Sequence, residues 1–312
     1  MIVTIAVCTR DRADQLRETL EAMTRLQVPA QLDWELIVVD NGSTDATPDV
    51  ARRFAQRLPL LLVHEPRGGL SIARNRAVDA VRGDYIVWTD DDVTVDPGWL
   101  AGYVAAFSRW PEAAVFGGPI ELKLLGTPPS WLLAALSRVG GAFAQRDLGA
   151  EPAPLVCEGH RIPFGANFAV RMAEQRRHRY APALGRRPGA ATSVAEEVAV
   201  IEAILGEGGT GWWVPGARVT HRIPAERQTM RYLRRFYAGA GEAAVHRGHD
   251  IPPRWRLWLT VAKAEIRFAL SRPLGRPERW IEHVIMASVA RGQLRAAAPP
   301  AARSRGGPSP SA

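Results

Sequence analysis

The hydrophobic pattern of the first hundred residues switches repeatedly between two periods. Residues 2–7 (IVTIAV) are short, apolar and β-branched, as in a buried strand. From about Ala13 the spacing changes, and Leu16, Leu20 and Met23 recur on one face of a helix. Residues 34–39 (WELIVV) predict a second strand, ending in Asp40, Asn41, Gly42 and Ser43. Pro48 opens a helix with Val50, Phe54 and Leu58 on one face. Residues 60–63 predict a third strand, Gly68 and Gly69 a turn, and Ile72, Ala77, Val78 and Val81 a third helix. Residues 85–88 (YIVW) predict the next strand. Beyond Pro97, Trp99, Leu100, Val104 and Phe107 predict the helix that follows it. Repeated strand–helix units imply a parallel sheet with helices on both faces. Ligands on such sheets bind at C-terminal strand ends, near the switch in strand order.

Between about 111 and 165 the pattern loosens. Pro128 and Pro129 precede an apolar segment, 131–139, closed by Gly140 and Gly141. It is a helix that either lies over the sheet as a flap or belongs to the core. Residues 164–170 (FGANFAV) predict a strand returning to the core. A helix opens at 193 with Val198, Ile201 and Leu205 on its apolar face, and Gly206, Gly208 and Gly209 stop it. Residues 212–220 predict one more strand, ending at His221. The last third is helical and basic. Met230, Leu233 and Tyr237 share a face; so do Trp255, Leu259, Ala262 and Ile266, with Arg254, Lys263 and Arg267 off it. That second helix, 254–271, either rests on an anionic membrane or packs on the rest of the protein. Residues 296–312 are Ala, Pro, Gly, Ser and Arg, and predict a disordered tail. The expected organisation is a catalytic domain over 1–225, a helical extension over 226–295 and the tail.

Charge adds a partner class. Forty Lys and Arg, nearly all Arg, against 32 Asp and Glu leave +8, which suits a nucleotide, a nucleic acid or an acidic lipid surface. The two cysteines, Cys8 and Cys157, form no CxxC pair. That argues against zinc and for a reducing compartment. No apolar run approaches the ~18 residues of a transmembrane helix, and the N-terminus lacks the basic region of a signal peptide. A cytoplasmic protein is expected.

The densest chemistry follows the fourth strand, where Asp90, Asp91 and Asp92 stand in a row. Carboxylates packed at a buried strand end repel one another unless a cation sits among them. Mg²⁺ and Mn²⁺ take such oxygen ligands and share them with substrate phosphates; a solvated acidic turn is the alternative. Thr9 and Arg10 end the first strand, Asp40 and Asn41 the second, and Arg74 lies early in the third helix, placed for a phosphate or sugar. Neither GxGxxG nor GxxxxGK[ST] is present, which excludes the usual NAD and P-loop fingerprints. Glu196 and Glu197 open the late helix. The helix dipole accounts for one of them readily and for the pair less well. The phase of Ile201 predicts Glu197 on the pocket side and Glu196 toward solvent. His221 would arrive on the far side of the carboxylates.

In order and spacing, IAVCTRDR, IVVDNGSTD, GGLSIARNRAV, YIVWTDDD, PFGANFAVR, AEEV and VTH resemble the motifs of family 2 glycosyltransferases. These are inverting enzymes with the nucleotide-diphospho-sugar transferase fold called GT-A, and the resemblance covers about residues 2 to 250. It implies an α/β fold with a GT-A-type, mostly parallel mixed sheet. It implies a nucleotide-diphospho-sugar donor, most commonly a UDP-sugar in this family, and a hydroxyl acceptor. Thr9, Arg10, Asp40, Asn41, Arg74, Asp90 and Asp91 would then lie against the nucleotide-sugar. Asp90 and Asp92 would be the outer positions of the DxD motif, Asp92 ligating Mg²⁺ or Mn²⁺ with help from His221. Glu197 or Glu196 would be the base, where relatives often carry Glu-Asp. Gln228 to Tyr232 (QTMRY) only approximates the QxxRW of processive synthases, so a non-processive enzyme of polysaccharide, glycolipid or secondary-metabolite synthesis is expected.

Three other readings fit less of the chain. A nucleotidyltransferase making nucleotide-sugars would carry a Gly-rich phosphate loop where CTRDRADQ stands. A nucleic-acid-binding protein would gather cations rather than acids at its densest polar cluster. A glycoside hydrolase uses two carboxylates but needs neither nucleotide pocket nor metal.

Overall fold

The computed structural model describes residues 1–158, 161–182 and 196–297. Its first half follows the predicted alternation: β1 (Ile2–Thr9), α1 (Ala13–Met23), β2 (Asp33–Asp40), α2 (Thr47–Phe54), β3 (Leu60–His64), α3 (Leu70–Ala80) and β4 (Tyr85–Asp90). These four strands are parallel, in the order β3-β2-β1-β4. The alternation of side chains along β1 explains the two helical layers. Val3, Ile5 and Val7 face Leu16 and Leu20 of α1, while Ala6 faces Ala73 and Ala77 of α3. After β3 the chain crosses back to the other side of β1, so the crevice at the ends of β1 and β4 is the topological switch point.

The second half contains the differences. β5 (Val93–Val95), α4 (Trp99–Arg109), β6 (Val115–Gly117), β7 (Ile120–Leu124), α5 (Ser130–Val139), β8 (Asn167–Arg171), α6 (Met172–Arg177), α7 (Glu196–Gly206), β9 (Gly211–Trp213) and β10 (Val219–Ile223) follow. β8 enters the large sheet antiparallel between β4 and β6, and β9 closes it. β5, β10 and β7 form a second, three-stranded sheet. The strand expected over 212–220 is therefore two strands in different sheets, divided by the turn that holds Pro215 and Gly216. β5 and β6, at three residues each, are too short to display a period. The segment read as a flap or core helix is α5, and it packs on neither face of the large sheet. Its Leu132, Ala135 and Val139 join Leu233, Trp280, Ile281 and Val284 in a separate core.

That core is built on α8 (Met230–His246), α9 (Arg254–Ser271) and α10 (Pro277–Ala296). α8 and α10 cross closely because glycine stands at the crossing: a Cβ on Gly292 would lie 1.9 Å from the Ala238 carbonyl oxygen. In α9 the buried residues are Leu257, Val261 and Ala264. The face predicted from Trp255, Leu259, Ala262 and Ile266 points outward instead, with Trp255 59% and Ile266 60% exposed. The expected tail lies outside the described residues from 298 onward, and α10 itself continues through Ala296.

Asn167 ties these pieces together. Fully buried at the start of β8, its Oδ1 accepts from Trp99 Nε1 and Tyr103 Oη, both at 2.8 Å. Its Nδ2 donates to the carbonyls of Pro119 at 2.9 Å and Ala217 at 2.7 Å. Asn167→Ala strands all four partners in the interior, so unfolding free energy should fall by about 3–5 kcal/mol. The measurement is urea unfolding, with a lower midpoint at unchanged slope. A loss under about 1 kcal/mol would mean that the network does not hold the sheets together.

Candidate active site

β1 and β4 end side by side, with Cys8 opposite Asp90, and β2 brings Asp40 opposite Thr9. Beyond these ends the chain turns through Asp11, at φ 51°, into α1. A cavity of about 690 Å³ opens there, closed on other sides by the first turn of α7, the Gly140–Phe143 turn and α8. Thr9, Arg10, Asn41, Arg74, all three aspartates, Glu196, Glu197 and His221 line it. Asp40 does not. It is buried, accepting from the Ser43 N–H at 3.1 Å and lying 3.1 Å from His64 Nδ1. Asn41 pins the neighbouring loop, accepting from the Gly69 N–H at 2.8 Å and donating to the Glu65 and Arg67 carbonyls.

Adjacent buried carboxylates demand counter-charge, and the fold supplies it. Asp91 accepts from the Thr9 hydroxyl at 2.7 Å and from Arg12 Nη1 at 3.0 Å. Asp92 Oδ2 accepts from Arg12 at 2.8 Å and lies 3.2 Å from Arg227 Nη1. Burial pushes the Asp91 carboxyl up to about 6 against the pull of Arg12, with Asp92 adding to the rise. Burial acts the same way on Asp92, but His221, Arg227 and Arg12 outweigh it and hold that carboxyl well below the ordinary range. Asp90 faces the cavity, its side chain 39% exposed and 4.0 Å from Arg74.

His221 reaches the cluster from β10. Its Nδ1 is 2.7 Å from the Phe143 carbonyl, which can only accept, so Nδ1 carries the proton. Its Nε2 is buried 3.1 Å from Asp92 Oδ1 without an aligned hydrogen bond; protonated, it pairs with that carboxylate, and neutral, it offers its lone pair to a cation. This arrangement fits a hard divalent cation. Neighbouring ligands on an octahedral ion at ~2.1 Å stand ~3 Å apart, and a ligating histidine commonly donates its other N–H to a carbonyl. Among the described residues no group of three or more His, Cys, Asp or Glu has ligand spacing. The protein would thus supply few ligands and leave the rest to substrate oxygens and water, the habit of Mg²⁺ sites.

Across the cavity, Arg74 is buried among the rings of Trp88, Phe168 and Tyr180, 5.2–5.7 Å from each centroid. Burial opposes its charge, but Glu196, Tyr180, Glu197 and Asp90 outweigh it and keep the guanidinium protonated. Its Nη1 makes no hydrogen bond and stands 3.6 Å from Glu196 and 3.8 Å from Glu197. Gly165 donates its N–H to Glu197 Oε1 at 3.2 Å; a Cβ there would lie 3.0 Å from both Arg74 and Glu197. The two glutamates reverse the expected order of burial: Glu196 is the deeper, its side chain 4% exposed against 15% for Glu197. The core face of α7 is Val200, Ile201 and Ile204, and Glu196 lies one helical turn before Val200. Cys8 also lines the cavity, but burial pushes its thiol up to about 12, which removes it as a nucleophile at neutral pH.

Arg12 and Arg227 were not among the expected site residues. The need for buried counter-charge could have pointed to Arg12, three residues past Thr9. Nothing local marks Arg227, which arrives through the packing of the segment before α8.

A mixed sheet with acids at its switch point, a carboxylate–imidazole pair and a facing Arg–Glu group thus meet around one cavity. Residues 4–149 match the family described as Glycosyl transferase family 2, the family whose motifs the sequence resembles. It is similar to the succinoglycan biosynthesis protein ExoM of Rhizobium meliloti (strain 1021), 28% identical over 271 residues, covering 84% of this chain and 81% of that one. Among solved structures it resembles the mannosyltransferase PcManGT from Pyrobaculum calidifontis in complex with GDP-Man and Mn²⁺. That match has TM-score 0.59 and 20% identity, over 94% of this chain and 86% of that one. It also resembles S. aureus TarS 1–349 in complex with UDP-GlcNAc, at TM-score 0.51 and 17% identity, over 93% and 82%. At such identities these structures establish the fold, and it is the GT-A-type fold expected from the motifs.

Arg12→Ala leaves Asp91 and Asp92 short of a shared partner, and stability should fall by about 2–4 kcal/mol. Millimolar Mn²⁺ should restore part of the lost melting temperature in this variant. An unchanged melting temperature without metal would show that Arg12 does not balance the cluster.

Proposed function

We propose that this chain is a metal-dependent, inverting, non-processive glycosyltransferase that moves a sugar from a nucleotide-diphospho-sugar, a UDP-sugar first among them, to an acceptor hydroxyl. The observation that carries this reading is the pairing of Asp92 with the imidazole of His221 at 3.1 Å, facing an Arg74 whose Nη1 makes no hydrogen bond, across one cavity. Asp92 and His221 would hold Mg²⁺ or Mn²⁺, whose chemistry when bound is to neutralise diphosphate charge, while Asp90, at the cavity edge and 4.0 Å from Arg74, lies against the donor. Arg74 directs its remaining donors at the same anion, while Thr9, Arg10, Asn41 and Asp91 shape the nucleotide end with Asp40 behind them.

The base is Glu197. Its carboxylate opens to the cavity and is oriented by the Gly165 N–H, so an acceptor hydroxyl can reach it. Glu196, deeper and against Arg74, is the positioning residue of the pair. One base opposite the leaving group gives single displacement and inversion at the anomeric carbon.

The likeness to a succinoglycan biosynthesis protein supports a place in polysaccharide synthesis, with residues 1–225 as the catalytic unit and 226–295 as its helical extension. A cytoplasmic setting agrees with two free cysteines. Among the described residues no helix is long and apolar enough to cross a membrane.

The test is a melting-temperature panel of UDP-, GDP- and dTDP-sugars with and without Mn²⁺. One donor should raise the midpoint, and only with metal. Asp92→Ala should abolish that rise; a metal-independent rise in the variant would contradict the assignment. Glu197→Gln should keep donor affinity while transfer falls by ~10²–10⁴. Glu196→Gln should instead weaken donor binding. Reversed phenotypes would exchange the two roles.

A further inference from the structure

α9 has two apolar faces, and only one is used. Leu257, Val261 and Ala264 are buried against the helical core. On the outer side Trp255, Trp258, Leu259, Ile266 and Leu270 are each between 47% and 71% exposed. At about 100° per residue these five span an arc of about 120°, continuous along the five turns of the helix. Solvent-facing large apolar groups in a row mark an interaction surface rather than chance exposure.

The edge of the stripe says what covers it. Arg256, Lys263 and Arg267 form the adjoining strip and are all exposed, and the Arg256 guanidinium lies 5.1 Å from the Trp255 ring centroid. Residues 254–297 carry nine Lys and Arg against three Glu. Two of those glutamates already have partners: Glu265 holds Arg234 and Arg291, each at 2.6 Å, and Glu282 holds Arg138. The net field of the surface is therefore cationic. Two copies joined through this stripe would bring like charges together, which disfavours a dimer. A bilayer rich in anionic headgroups meets both demands. Apolar side chains enter the acyl boundary, indole rings sit at headgroup depth, and long cationic side chains reach the phosphates.

We propose that the outer face of α9 is a membrane-docking surface for anionic phospholipid, with the helix lying in the plane of the interface. Its orientation is tied to the cavity. The α9 residue Glu265 is bonded to Arg234 of α8, the helix whose Tyr232 and Phe236 line the cavity. Docking thus sets the mouth of the site one helix away from the lipid surface.

The test is flotation of the full chain with vesicles of phosphatidylcholine alone or mixed with phosphatidylglycerol. The protein should rise only with the anionic vesicles and be released as salt is raised. Trp258→Ser combined with Ile266→Ser should lower partitioning at least about tenfold, with the melting temperature unchanged because both side chains are exposed. Recovery of the wild-type chain in the bottom fraction, equal flotation on neutral vesicles, or equal flotation of the double variant would overturn the proposal. So would sedimentation velocity showing a dimer that the double variant loses.

Discussion

Three carboxylates in sequence at the end of a buried strand are the constraint to which the rest of the molecule answers. Left alone, such a cluster would raise its own pKa values and loosen the strand end. Its partners are drawn from three distant parts of the chain: Arg12 from the turn after β1, His221 from β10 and Arg227 from the segment before α8. In the second sheet β10 pairs with β5, His221 opposite Val93, which brings the imidazole to Asp92, while the Arg222 guanidinium donates to Thr94, Thr19 and the Gln15 carbonyl. Folding and function therefore meet in one requirement. The cluster is balanced by the cations around it, and the proposed metal ion would take the edge formed by Asp92 and His221.

The opposite wall solves the mirror problem. Arg74 is a buried cation, held by three aromatic faces and by carboxylates at 3.6–4.0 Å rather than by close hydrogen bonds. Loose ion pairing of this kind keeps the guanidinium charged but leaves donors for an incoming anion. Gly165 matters for the same reason, since any Cβ there would press on Arg74 and Glu197 together.

The N-terminal half was legible because its elements are long enough to show their periods and are bounded by Pro, Gly and acidic turns. The ordered motifs carried the site residues from β1, β2, β4, α3, α7 and β10. What was hidden has a common physical cause. β5 and β6 are three residues long, and α5 is apolar for a partner, α10, more than a hundred residues away. Helical phase misjudged Glu196 because Val198, taken as a core residue, is only half-buried, while Val200 sets the true inner face. In α9 the more conspicuous apolar stripe is the outer one. Periodicity shows that a face is apolar but not what it meets.

The central claim is that Asp92 and His221 jointly bind a divalent cation beside the donor diphosphate. The most direct measurement is pulsed electron paramagnetic resonance of Mn²⁺ bound in the presence of UDP. Hyperfine coupling to a directly ligated imidazole nitrogen is predicted for the wild-type chain and should vanish in His221→Ala. Tightly bound Mn²⁺ with no nitrogen coupling in the wild type, or the same coupling in the variant, would contradict the account.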